Sequence, residues 1–241
     1  MFITNDMPMR YYSDNSLTAP INWLYATENS NENLPYLISF TNIRLGNSLK
    51  SLEPGQSVNH PYRTLSFSGS TDQMVFFYFN PPGCFHVADP EIDIFNPLIS
   101  DSIRFDLSSS NLSLIKYSNN KNTAFFTNEQ INENWCYYYQ KASLAVQKEN
   151  WSEVVNLAEK AFALGDYPND ASERMPYIEA FAMTGNLEGA TQQSRLVHDI
   201  SILYDPMLCA LWERIENNIA EEKNHSFIIQ DMKSEFYCQE Q

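Results

Sequence analysis

Apolar side chains follow two different periods along this chain, and the change falls near residue 134. Beyond it, Trp135, Tyr138, Tyr139, Ala142 and Ala145 or Val146 lie on one side of a helix, and Trp151, Val154, Val155, Ala158 and Phe162 line a second. Recurrence every three to four residues marks an amphipathic helix, and the Glu149-Asn150 break between the two predicts a tight antiparallel turn. A second pair follows, with Tyr177, Ile178, Phe181 and Ala182 inward on Glu173–Met183, a turn at Gly185-Asn186, and Leu187, Ala190, Leu196, Val197 and Ile200 on Leu187–Ile200. An offset of 36 residues lays one pair on the other, Glu149-Asn150 on Gly185-Asn186, Trp151 on Leu187 and Val154 on Ala190. A helix pair cannot bury its apolar face alone, whereas stacked pairs can, so the reading is a short tetratricopeptide-like stack, whose usual period is about 34 residues. A fifth helix opens at Pro206 behind Asp205, with Leu208, Leu211, Trp212, Ile215 and Ile219 inward, and is expected to cap the stack.

Upstream the period is shorter and the breakers are denser. Met1–Thr4 and Tyr36–Phe40 read as strands, and a helix over Leu17–Tyr25 lies between them behind the capping residues Ser13, Asp14, Asn15 and Ser16. Pro20 is expected in its first turn, where proline is tolerated. Ile43–Leu52 reads as a short helix closed by Pro54-Gly55, and Tyr62–Phe67 as a half-exposed strand. Met74–Phe79 is apolar on both faces, which predicts a central strand covered on both sides. It stops at Asn80-Pro81-Pro82-Gly83, after which Cys84–Val87 could resume as a strand. The fold class expected is therefore a small α/β domain, a mixed sheet with flanking helices, over 1–125, then a linker over 126–133. An all-α tetratricopeptide-like helical-hairpin domain follows over 134–222, with a polar C-terminal tail over 223–241.

Charge narrows the partners. The chain carries 30 acidic and 15 basic residues, a formal charge of −15, and no Lys/Arg cluster. A polyanion needs a positive stripe, so nucleic acid and anionic membrane surfaces are poor partners. Most of the excess lies in residues 126–241, with 19 acidic against 8 basic, and reads as solvated helix faces. Met1–Tyr12 lacks the basic start and long apolar run of a signal peptide, and no run of 18 apolar residues occurs, so the chain is expected to be soluble, with no membrane insertion of its own.

Candidate chemistry is sparse. Cys84, Cys136, Cys209 and Cys238 stand far apart without a CxxC pair, so no zinc site is expected. They read as free thiols, with a disulfide pairing in an exported domain as the open alternative. The glycine-rich phosphate loops, HExxH and GxSxG are all missing, and no catalytic, cofactor or metal residue is assigned. Cys84 and His86 could be read as a thiol–imidazole pair, but no orienting carboxylate accompanies them. Asp89, Glu91 and Asp93 read as a solvated turn, with calcium or magnesium binding as the alternative. The one ligand site suggested is Arg10, Tyr12, Asp14 and Asn15, between the first strand and the first helix, where open α/β folds bind ligands and where a sugar or anionic group would fit. Tyr138, Tyr139, Trp151 and Trp212 read as scaffold.

Three stretches carry a resemblance: Tyr11-Tyr12-Ser13-Asp14-Asn15-Ser16-Leu17-Thr18-Ala19-Pro20-Ile21-Asn22-Trp23, Tyr78-Phe79-Asn80-Pro81-Pro82-Gly83-Cys84, and Asn134-Trp135-Cys136-Tyr137-Tyr138-Tyr139-Gln140-Lys141-Ala142 with Trp151. Together they resemble the C-terminal soluble region of bacterial multipass membrane proteins of glycosyltransferase-like, dolichyl-phosphate-mannose mannosyltransferase-like type. The resemblance implies an extracytoplasmic portion tethered through a membrane part that holds the catalytic carboxylates, so no catalytic residue is carried over. The expected function is a non-catalytic accessory or protein-binding domain, its partner a protein or peptide such as the membrane part of its own parent. The alternatives are a sugar-binding or sugar-processing module in the N-terminal domain, and a purely structural spacer or dimer.

Overall fold

The computed structural model describes residues 1–5, 14–26, 33–41, 52–115, 132–165, 167–219 and 223–238. An N-terminal α/β region precedes a helical C-terminal part. The chain divides into two compact units, one of residues 1–79, 87–90 and 101–131, the other of residues 80–86, 91–100 and 132–241. Two short segments from the N-terminal half thus belong to the helical unit.

In the first unit, β1 (Phe2–Thr4) lies between β2 (Ile38–Phe40) and β5 (Val75–Tyr78), parallel to both, with Ile3 opposite Ser39 on one side and Phe76 on the other. Parallel neighbours need a crossover, and α1 (Asp14–Tyr25) supplies it between β1 and β2. The helix is clamped to β2 by side chains: Thr18 Oγ1 accepts from Ile38 N at 3.0 Å, and Asn22 both donates to Tyr36 O (2.7 Å) and accepts from Tyr36 N (3.0 Å). Pro20 lies inside this helix and not in its first turn. Beyond β1, Asn5 acts as one more rung, its side chain bonding Phe79 O at 2.6 Å and Phe79 N at 2.8 Å.

The sheet order is β2-β1-β5-β6, β6 being the two-residue His86–Val87. As expected, β5 is a central strand, and Met74, Val75, Phe76 and Tyr78 are all buried. Tyr62–Phe67 is not one strand. It contains the turn between β3 (Ser57–Tyr62) and β4 (Leu65–Ser70), which pair antiparallel. Arg63 makes that turn at φ 55°, and no Gly, Asn or Asp announces it. This unit also holds a short helix, α2 (Asp101–Leu107), and 3-10 turns at Thr71–Gln73 and Leu112–Leu114, and the helix expected over 43–52 lies outside the described residues except for Leu52.

The second unit holds α3 (Trp135–Val146), α4 (Trp151–Ala163), α5 (Met175–Met183), α6 (Leu187–Ile200), α7 (Asp205–Asn218) and α8 (Lys223–Glu235). The turns α3–α4 and α5–α6 share a left-handed residue, a reaching-back N–H and a capping asparagine at the 36-residue offset. Glu149 and Gly185 are left-handed, at φ 54° and 83°. Asn150 N bonds Ala145 O at 3.0 Å, and Asn186 N bonds Phe181 O at 2.8 Å. This is the Schellman ending, in which the left-handed residue frees the next N–H to reach back to an orphan carbonyl. The same asparagines cap the following helices, Asn150 accepting from Glu153 N and Asn186 from Gly189 N.

Central to the packing is α5, whose Met175, Tyr177, Ile178, Glu179, Ala180 and Ala182 are all buried. One apolar cluster joins it to α3 and α4 through Trp135, Tyr139, Val154 and Leu157, another to α6, α7 and α8 through Val197, Leu211, Trp212, Ile229, Met232 and Phe236. Residues 223–235, expected as part of a polar tail, are therefore a docked helix whose apolar side chains at 229, 232 and 236 are spaced three to four apart. Among the described residues no helix is long and apolar enough to cross a membrane.

The two hairpin turns respond oppositely to substitution. Nothing lies within 4 Å of a Cβ built on Gly185, so Gly185→Ala meets only the left-handed penalty and should lower unfolding free energy by about 1 kcal/mol, while Glu149→Gly should raise it by a similar amount. Urea titration checks both. Asn150→Ala and Asn186→Ala should each cost about 1 kcal/mol through the lost cap.

Candidate functional site

Of the suggested ligand residues, Arg10 and Tyr12 lie outside the described residues, and Asp14 and Asn15 open α1 with side chains that lie outside them as well. The cysteines are not free thiols. Cys84 is bonded to Cys136 and Cys209 to Cys238, so the thiol half of the Cys84–His86 pair does not exist. The sequence separations of 52 and 29 residues explain why spacing did not reveal the partners. The Asp89, Glu91, Asp93 stretch is not a uniformly solvated turn: Asp93 is buried against His86, while Glu91 faces Arg214 at 3.5 Å. Among the described residues no group of three or more His, Cys, Asp or Glu side chains is placed to hold a metal ion.

What the fold assembles instead is a buried polar network in the helical unit. Its anchor is the corner before α5. Asp170 accepts from Ser172 N at 2.9 Å and from the Tyr204 hydroxyl at 3.1 Å. Glu173, three residues on, turns its carboxylate back to accept from Asn169 N (3.2 Å) and from Cys84 N (2.7 Å). The segment carrying Cys84 fits because position 83 is glycine: a Cβ there would stand 2.9 Å from Asn80 O and 3.4 Å from Glu173 Oε1. Asn96 donates to Ser172 Oγ at 3.2 Å, and Gln140 to Phe85 O at 2.6 Å.

His86 lies at the centre, with Nδ1 3.2 Å from Cys84 O, Nε2 3.4 Å from Asp93 Oδ2 and its ring edge-on to Tyr139. Both ring nitrogens face acceptors, which the doubly protonated imidazolium satisfies best. Burial works against that charge, but Asp93, the Cys84 carbonyl and Asp170 outweigh it and raise the His86 pKa. Burial likewise raises Glu173 against its N–H donors, with Asp170 adding to the effect. Tyr139 is pushed well up by burial and by Asp93, Glu173 and Asp170, so its phenol stays neutral. On the far side of α5, Glu179 is buried and paired with Arg214 at 2.7 Å, close enough to neutralise it.

Chemically this arrangement can hold His86 in its protonated form beside Asp93. Both groups are buried, at 7% exposure each. Sequence reasoning did not single out Asp170 and Glu173, although Asp-x-x-Glu at a helix start is a capping-box signal. The link from Glu173 to Cys84 spans 89 residues and has no local trace.

The network sets a direction for pH dependence. A raised His86 stabilises the fold fully below its ordinary value of 6.5, and that contribution is lost as pH rises through the folded value. Glu173, also raised, adds a loss of the same sign from 4.5 upward. The urea midpoint should therefore fall as pH rises above 6.5, and His86→Gln should flatten that part of the curve.

No family model matches this chain, and neither a curated protein nor a solved structure does.

Proposed function

We propose that this chain is a non-catalytic accessory or protein-binding domain built on tetratricopeptide-like helix pairs, and that it is the extracytoplasmic soluble part of a membrane glycosyltransferase-like protein. The observation that carries the binding role is the pair of hairpin turns with matching left-handed residues and asparagine caps at a 36-residue offset, since stacked helix pairs are suited to contact with other chains. The ionisable groups gathered around α5 are spent on one another, which suits a scaffold. Extracytoplasmic placement draws its support from the four cysteines, all paired, because disulfides persist in oxidising compartments and are rare in reducing ones.

Two measurements bear on this. Exported to an oxidising compartment and then unfolded in denaturant, the chain should show no titratable thiol, and reduction should cost about 2–4 kcal/mol per bond. Recovery with free thiols would remove the support for placement. Immobilised chain should retain the membrane part of a glycosyltransferase-like protein. Turnover of a small sugar substrate by the isolated chain, with no partner retained, overturns the accessory reading.

A further inference from the structure

The segments 80–86 and 91–100 meet the first helix of each pair in the helical unit. On α3 they reach Gln140 through Phe85 O and Cys136 through the disulfide. At α5 and its leading turn they reach Glu173 through Cys84 N and Ser172 through Asn96, and Ile92 joins the core with Met175 and Ile178. On α7 they reach Arg214 through Glu91. Apart from His86 in β6 and a 3-10 turn at Asp93–Phe95, they have no regular structure of their own. Main-chain groups held by helix side chains, one apolar anchor and one ion pair at the rim are how a folded domain grips an extended peptide.

We infer that the face formed by α3, α5 and α7 is a peptide-recognition surface, that its occupants are the chain's own segments 80–86 and 91–100, and that Cys136 locks the first of them in place. The peptide it fits is proline-flanked (Pro81, Pro82, Pro97), with glycine at the close approach to Glu173, a buried isoleucine and a carboxylate for Arg214. Tethered on the same chain and held by the disulfide, the segment excludes similar peptides from elsewhere until the lock is opened. The lock opens with a dithiol: one thiolate attacks the sulfur of Cys136, the more exposed partner, Cys84 leaves as a thiolate that takes up a proton, and the second thiol resolves the mixed disulfide. Two electrons pass into the bond and the dithiol leaves as a cyclic disulfide. This inference rests on the geometry of the helical unit and is independent of the compartment.

Two experiments on the full chain test it. In wild-type protein, dithiothreitol should speed hydrogen exchange at the Cys84 amide by about tenfold or more while α5 amides keep their protection. If α5 amides accelerate with it, the segment is core and not ligand; if the Cys84 amide is unmoved, the disulfide is no lock. In Cys84→Ser, Cys136 is a free thiol. A synthetic peptide of residues 80–100 in glutathione buffer should form a disulfide with it about tenfold faster than a scrambled peptide containing the same cysteine, read by mass mapping. Equal rates overturn the inference, as does a Cys84→Ser chain that fails to fold, because a separable ligand is not needed for folding.

Discussion

A buried carboxylate is costly unless its lone pairs are met, and Glu173 is the place in this protein where that constraint organises the most structure. It is 2% exposed, and it is met by backbone N–H groups from its own helix start and from Cys84, 89 residues upstream. Satisfying it requires the chain to bring the turn after Pro82 onto the corner before α5. Gly83, the Cys84–Cys136 bond and the placement of His86 are local consequences of that approach. The same corner sets Asp170 on Tyr204, which fixes the entrance to α7.

Around this point the helical unit combines two kinds of cohesion. Apolar burial holds the helices together, with Trp135, Tyr177 and Trp212 fully enclosed. Polar pairing decides which segment lies on them: a helix face of Met, Ile and Ala accepts many apolar partners, whereas Glu173, Ser172, Gln140 and Arg214 each accept a group of matching polarity at one position. Glu179 and Arg214 illustrate the cost structure, since removing one would leave the other uncompensated beside α5. The two disulfides close loops of different kinds. Cys84–Cys136 fastens the upstream segment to α3, and Cys209–Cys238 fastens the end of the chain to α7, where α8 is already seated by Ile229, Met232 and Phe236.

Local chemistry was legible where the physical cause is local. The turn at Gly185-Asn186 could be read because a left-handed residue followed by a cap is written in two adjacent letters, and Glu149-Asn150 because it repeats that position. The central strand at Val75–Tyr78 could be read because burial on both faces demands an unbroken apolar run. The hairpin turn at Arg63 could not, since arginine has no preference for its left-handed backbone and only the pairing of β3 with β4 holds it there. The residues of α8 read as polar tail because its apolar positions are few, and their value depends on α7 being present to cover them.

The sequence by itself thus determined the helix-pair period, the capped turns, the central strand and the acidic balance, all of which follow from neighbours within a few residues. Only the tertiary structure decided that the cysteines are paired, that Asp93 is buried on His86, and that residues 80–86 and 91–100 belong with the helices. Each of these joins groups separated by long stretches of chain or turns on burial that no local pattern reports. The physical reason is the same throughout: backbone propensity and amphipathic period act over one or two turns, whereas the satisfaction of a buried charge draws on whichever donor the fold brings near.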